Sequence, residues 1–275
     1  MALATARPAG RTAAVPRTTS LGASTLQVAK RAFLRYLRTP QLVIVGTIQG
    51  AMFLLIFRYV FGGAIPIPGI SYVDFLVPGF ITTGVLFSGM GAATGVADDL
   101  AQGFVDRLRS LPVRRVSFLT GSSLADSAWN IWGLVMTVAI GFAVGFRIHG
   151  SWLDALAAFG LCVVFGFAFE WLFILLGLLA GNPQAAQGMA LIVFPFTFIS
   201  SAYVPVASMP GWLQGFAQHQ PLTYMVNAVR VLSEGHTTAT MLGHSTWYWA
   251  GWSLVWSAGL VAVFVPLAAA KYRRS

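Results

Sequence analysis

Long apolar runs separated by short polar stretches dominate this chain, and their lengths predict helices that cross a bilayer. About 20 apolar residues cover the hydrocarbon core of a membrane, and six runs reach that length: Gln41–Phe61, Phe75–Ala97, Val116–Phe146, Trp152–Ala180, Ala185–Tyr203 and Ser245–Ala270. The third and fourth are longer than a crossing needs, which predicts tilt or extension beyond the bilayer. Trp152, Trp247, Tyr248 and Trp249 fall near proposed ends, where interfacial aromatic belts form. The pattern predicts an all-α integral membrane protein with a six-span domain over residues 23–275.

One dense block of charge interrupts the pattern, Asp98–Arg115, DDLAQGFVDRLRSLPVRR. Its apolar members Leu100, Phe104, Leu108 and Leu111 recur at helical spacing, with Asp99, Gln102, Asp106, Arg107 and Arg109 between them. The block predicts a short amphipathic helix between the second and third spans. Gly103 lies within it, at a cost of about 1 kcal/mol relative to Ala, and Pro112 ends it near Leu111.

Two further stretches depart from the spanning pattern. Ser24–Thr39 sets Lys30, Arg31, Arg35 and Arg38 against Leu26, Ala29, Phe33, Leu34 and Leu37, which predicts an N-terminal interfacial helix with its cations toward anionic headgroups. Pro205–His244 carries Met209, Trp212, Leu213 and Phe216 on one helical face after Pro210, and a second apolar helical stretch, Tyr224–Leu232, after Pro221. So apolar a segment predicts a re-entrant helical hairpin dipping into the outer leaflet; two surface helices packed on the spans are the alternative. Gly62–Ser71 reads as a turn-rich loop. Residues 1–22 lack acidic residues and apolar period, so a disordered tail is expected; an organelle transit peptide has a similar composition.

Composition and charge sharpen this picture. The chain is 57% hydrophobic and 9% charged, against about 25% charged in soluble domains, which excludes an ordinary soluble fold. Its net charge of +9 reads as a topology signal, because the cations sit at the ends of apolar runs. Arg58, Arg147 and Arg230 fall on one side, and every other Lys and Arg falls on the opposite side with both termini and Asp98–Arg115. The positive-inside rule makes the latter side cytoplasmic. Cys162 is the single cysteine, so no intrachain disulfide or cysteine pair exists.

Catalytic chemistry is not evident. Lys30 and Lys271 are the only lysines and neither follows Gly, so the chain has no phosphate-binding loop of its own. His149, His219, His236 and His244 are scattered over proposed outer loops, and no metal site is expected from their spacing. Gly121-Ser122-Ser123 lacks the spacing of a nucleophile elbow. Asp126 and Glu170 are carboxylates inside proposed spans, Glu170 roughly 15 Å from the cytoplasmic end at 1.5 Å per residue. An ionised, lipid-facing carboxylate there costs a few kcal/mol, so both are expected to face protein or water, or to be protonated. For Glu170 a helix-packing hydrogen bond and a transport role both stay open; Asp126 also fits an interfacial position.

Taken in order, these features resemble the membrane subunit of type-2 ATP-binding-cassette exporters. The run Gly103-Phe104-Val105-Asp106-Arg107-Leu108-Arg109-Ser110-Leu111-Pro112-Val113-Arg114-Arg115 is similar to the corresponding stretch of the daunorubicin-resistance-type permeases. So are Asn182-Pro183-Gln184-Ala185-Ala186-Gln187, Phe194-Pro195, Met209-Pro210, Trp212-Leu213, Pro221-Leu222-Thr223 and Asn227-Ala228-Val229-Arg230. Gln220 departs from the Asn that relatives commonly carry before the proline.

The resemblance implies a permease subunit that moves a hydrophobic or amphiphilic substrate, such as a drug, an antibiotic or a lipid, across the cytoplasmic membrane; a sugar polymer stays open. It implies no nucleotide site in this chain, ATP and Mg²⁺ entering through a partner ATPase, and a second permease chain, the same or homologous. Asp99, Gly103, Phe104, Asp106, Arg107, Leu108, Arg109 and Pro112 would then couple to the ATPase, and Glu170 and Asp126 are the candidates for the substrate pathway. A proton-coupled secondary transporter using those two carboxylates is the competing class, although the two three-span halves show no inverted repeat.

Overall fold

The computed structural model describes residues 40–62, 65, 67, 69–103 and 116–274. Every regular element among them is helical. The predicted N-terminal interfacial helix and the tail before it lie outside the described residues.

Helix α1, Pro40–Ile56, runs into a π-helical turn, Phe57–Phe61, and together they match the first predicted span. Helix α2 covers Tyr72–Ala101. It starts at Ser71, whose hydroxyl accepts from the Asp74 amide at 3.2 Å and donates to the Asp74 carboxylate at 2.6 Å. Helix α3, Val116–Val144, stops where Gly145 takes φ 106°. Helix α4, Trp152–Ala180, has the predicted bounds. Ser151 and Asp154 close a reciprocal capping box at its start and Gly181 ends it in the left-handed conformation. Helix α10, Thr246–Arg274, closes the chain.

Four of these, α2, α3, α4 and α10, hold segments long and apolar enough to cross a membrane, and the described end of α1 adds a shorter apolar stretch, Ile48–Phe61. The expected fifth span, Ala185–Tyr203, is not one helix. It divides into α5, Pro183–Leu191, and α6, Phe194–Phe198. Pro195 has no amide hydrogen to continue the ladder, so α5 closes with short-range bonds from the Ile192 and Val193 amides to the Met189 and Ala190 carbonyls.

The charged block also departs from expectation. Asp98, Asp99, Leu100 and Ala101 continue α2, which then ends; Gln102 caps it and Gly103 takes φ 65°. Gly103 is therefore a helix terminator and not a mid-helix residue, as suits the one residue type without a Cβ penalty in that region.

Helix α4 is the centre of the bundle, packing on α2, α10 and α3. In the apolar windows of α2 and α4, 67% and 61% of residues are buried, against 17% in each of α3 and α10. Two helices thus form the core and two form its exposed flanks. Where α2 crosses α4, Gly89 lies under the Phe173 ring and Gly177 against the Ala93 carbonyl, with no room for a Cβ at either. Small residues at such crossings let backbones approach, the main source of packing energy between helices in lipid.

Between α6 and α10 the chain forms a 3₁₀ turn, Val206–Ser208, then α7, Gly211–His219, and α8, Pro221–Glu234, joined through Gln220. A short α9, His236–Met241, follows. Helices α7 and α8 cover the stretch for which a re-entrant hairpin or two surface helices are the alternatives, and they differ in setting. Helix α7 exposes Trp212 and Phe216, whereas α8 is buried from Leu222 to Glu234 among α2, α4 and α10. The alternative of two surface helices does not describe α8.

Candidate functional site

On α3, Ser123, Asp126, Ser127 and Asn130 recur at intervals of three and four residues, which places them along one face of the helix. That face meets α4. The Ser127 hydroxyl donates to Glu170 Oε2 at 3.0 Å, Asp126 acts on the same carboxyl electrostatically, and Asn130 packs against Gly166, where a Cβ would strike its amide. Glu170 is 2% exposed; the buried Ser123 hydroxyl also lies beside its carboxyl, and among the described residues neither that hydroxyl nor Oε1 makes a well-formed hydrogen bond. The two sequence-predicted carboxylates are thus brought together, inside the protein and away from lipid. Burying a carboxyl oxygen without a full set of partners is costly.

A second polar centre lies at the end of the bundle where α2 and α4 begin. Arg230, on α8, is completely buried. Its Nε and Nη2 donate to the Phe75 carbonyl at 3.1 and 2.9 Å, Nη2 to the Ser201 carbonyl at 2.8 Å, and Nη1 to Asn227 Oδ1 at 2.9 Å. Its guanidinium also lies 3.7 Å from the centre of the Phe75 ring. Ser201 Oγ donates to the same Asn227 oxygen at 2.8 Å. The planar fork of donors is what lets one side chain tie α2, the turn after α6, and α8 together. Sequence reading put Arg230 on the outer side as a topology signal and did not foresee this role. The available signal was Asn227 and Arg230 three residues apart on an otherwise apolar helix.

One turn beyond Arg230, Glu234 ends α8 beside the α3–α4 loop. The His149 and Gly150 amides both donate to the Ser233 carbonyl, at 2.8 and 2.9 Å, and Gly150 lies too close to the Leu232 carbonyl for any Cβ. This contact sets His149 Nδ1 2.9 Å from Glu234 Oε2. Asp74, from the first turn of α2, completes a group whose ligand-capable atoms all lie within 4.8 Å of one another. Burial, followed by the charge of Asp74, raises the Glu234 carboxyl from the usual carboxylate range to about 7, against the opposing pull of His149 and Arg230.

Of the expected ATPase-coupling residues, Asp99 lies in the last turn of α2 and Gly103 just past its end. The side-chain amide of Gln102 donates to Asp98 Oδ2 at 2.9 Å, securing that end. Phe104, Asp106, Arg107, Leu108, Arg109 and Pro112 lie outside the described residues. An apolar cavity of about 390 Å³ opens between α4, α6, α7 and α10, lined by Phe169, Phe196, Phe216, Trp256 and Phe264.

A family model described as ABC-2 type transporter matches residues 24–232. The chain is similar to a daunorubicin resistance ABC transporter permease protein of Streptomyces coeruleorubidus, at 34% identity over 88% of this chain and 83% of that one. It is also similar to a protein of Mycobacterium tuberculosis (strain H37Rv) named "probable doxorubicin resistance ABC transporter permease protein", at 29% identity over 92% of this chain and 89% of that one. An inner membrane transport permease of Escherichia coli (strain K12) is 25% identical over 69% of this chain and 74% of its own length.

Proposed function

The chain belongs to the ABC-2 type transporter family and is the membrane permease subunit of an ABC exporter; from that premise we propose that it moves a hydrophobic or amphiphilic molecule across the cytoplasmic membrane, driven by a separate ATPase. The observation that carries this reading is the family match over residues 24–232, which takes in the charged block after α2, the core helices and the α7–α8 hairpin. The substrate class rests on the apolar cavity among Phe169, Phe196, Phe216, Trp256 and Phe264. Aromatic walls at membrane depth suit a drug-like, antibiotic or lipid molecule entering from the bilayer. A preference for cationic amphiphiles would rest on Glu170 and Asp126, two carboxyl groups set side by side among otherwise apolar helices.

Coupling runs through the end of α2. That helix is roughly 45 Å long at 1.5 Å per residue, longer than the bilayer core, so its last turn, with Asp98 and Asp99, projects from the membrane on the side made cytoplasmic by the positive-inside rule. Residues 104–115 dock into the ATPase, with Asp106, Arg107 and Arg109 at the polar contact and Phe104 and Leu108 as apolar anchors. Closure of the ATPases on ATP then moves α2 as a lever against α4. ATP and Mg²⁺ are bound by that partner. A second permease chain completes the pathway, and both termini face the cytoplasm.

The test is coexpression of this chain with candidate ATPase subunits, gentle extraction, and ATPase assay of the complex with and without drug-like and lipidic compounds. A copurifying ATPase, stimulated by at least one compound and uncoupled by Asp106→Ala with Arg107→Ala, is the expected result. Transport that survives ATP depletion but collapses with a proton uncoupler would instead assign the Glu170–Asp126 pair to proton coupling.

A further inference from the structure

Three elements deliver one ligating side chain each to the same end of the bundle: Asp74 from the first turn of α2, His149 from the α3–α4 loop, and Glu234 from the end of α8. Ligands sharing one zinc-class ion stand about 2.0–2.2 Å from it, and so roughly 3–4.4 Å from each other. The atoms of this group are all within 4.8 Å of one another, with His149 Nδ1 and Glu234 Oε2 already in contact at 2.9 Å.

Local structure holds each ligand in place. Ser71 Oγ donates to Asp74 Oδ2 at 2.6 Å, leaving Oδ1 with one long bond of 3.4 Å from the Arg147 amide. The Arg147 guanidinium is turned away, donating to the Phe142 and Phe146 carbonyls. His149 is fixed through its backbone by Ser233. The charged group nearest from below, Arg230, is spent on Phe75, Ser201 and Asn227.

An independent observation indicates a missing partner. Glu234 is 5% exposed, and its Oε1 is buried with no hydrogen-bond partner among the described residues, although the other oxygen of the same carboxyl touches His149. A buried carboxylate oxygen without a donor is rare and costly. A cation among the three residues meets it.

We propose that Asp74, His149 and Glu234 form a divalent-cation site of the zinc class, one imidazole and two carboxylates, that clamps the α7–α8 hairpin to the start of α2 and to the α3–α4 loop. One nitrogen and two oxygens suit zinc and its transition-metal neighbours better than the all-oxygen sets favoured by calcium and magnesium. With three protein ligands, the remaining position is open to water.

The experiment uses the full chain in detergent micelles, stripped with chelator and titrated with Zn²⁺ alone by calorimetry, metal content being counted by emission spectroscopy. The wild type is expected to take up one equivalent. His149→Ala, at a half-exposed side chain whose loss spares the backbone contact to Ser233, is expected to weaken binding about tenfold or more, and Asp74→Asn by a similar factor. His219→Ala, remote from the group, is expected to bind as the wild type does. Uptake by the wild type no higher than by His149→Ala, or an affinity unchanged in Asp74→Asn, overturns the site. So does loss of binding in His219→Ala. If His149→Ala does not give monodisperse protein, Zn²⁺-dependent protection of the wild-type His149 from histidine modification decides the matter, and its absence overturns the proposal.

Discussion

Two buried glutamates each leave one oxygen without a hydrogen-bond partner among the described residues, yet they sit in opposite chemical settings. Glu170 lies between α3 and α4 with a serine hydroxyl and a second carboxyl for company. Glu234 lies at the end of the bundle with an imidazole in contact and a guanidinium one turn away. Hydroxyls orient a carboxyl without supplying a countercharge, so on the proposed function the Glu170 site is the one open to a mobile cationic partner. An imidazole and a peptide-anchored loop make a rigid enclosure, so the Glu234 site suits a bound one. On the two proposals, the same side chain would serve passage in one place and fastening in the other.

The fastening end is the more sensitive to substitution. Arg230→Ala removes four hydrogen bonds at once and leaves the Phe75 and Ser201 carbonyls and Asn227 buried beside a hole. Breaking such a buried charged network costs about 3–5 kcal/mol, a large share of the stability of a typical protein. The expected result is a steep loss of folded, detergent-stable protein, read by size-exclusion chromatography and thermal melting. Arg230→Lys keeps the charge but has no fork, and an intermediate loss is expected. Equal stability of Arg230→Ala and the wild type would remove Arg230 as the tie between α2 and α8.

How far the two ends were legible in the sequence follows from the same physics. The span carrying Glu170 has the predicted bounds because continuous apolarity, a Ser151–Asp154 cap and the terminal Gly181 all agree. Asp126 and Glu170 stood out as carboxylates in apolar runs, and their approach follows from the stripe Ser123, Asp126, Ser127, Asn130. The other end was not legible, because Asp74, His149 and Glu234 are 75 and 85 positions apart and are brought together by tertiary contacts through Ser233, the Arg147 amide and Arg230. The fifth span misled for a related reason. Apolarity from Ala185 to Tyr203 cannot report that Pro195 breaks the backbone ladder. Gly103 misled because the amphipathic period runs through it, whereas α2 ends at Ala101 and Gly103 takes φ 65°.

At the passage end, smaller effects are expected on stability and larger ones on selectivity. Ser127→Ala deletes the 3.0 Å hydrogen bond from α3 to Glu170, worth about 1 kcal/mol, and a melt of the purified chain reads it. Glu170→Gln keeps an acceptor for Ser127, so the fold is expected to survive. Export of cationic amphiphiles from vesicles is expected to fall several-fold, while neutral amphiphiles of similar size are exported as before. Equal export of both classes by Glu170→Gln would argue that the carboxyl serves packing alone and would erase the contrast with Glu234.

The smallest stability effect is expected where the two settings differ most. His149 is half exposed while its partner Glu234 is buried, so water screens the attraction between them. In metal-free buffer, His149→Ala is expected to cost only about 0.2–1 kcal/mol, because the amides of His149 and Gly150 keep their bonds to Ser233 whatever side chain is present. Thermal melts of wild type and variant in chelator are therefore expected to lie close together. If the variant melts far lower in chelator, the imidazole is itself a structural strut, and the end of α8 owes its position to the ion pair rather than to the backbone clasp.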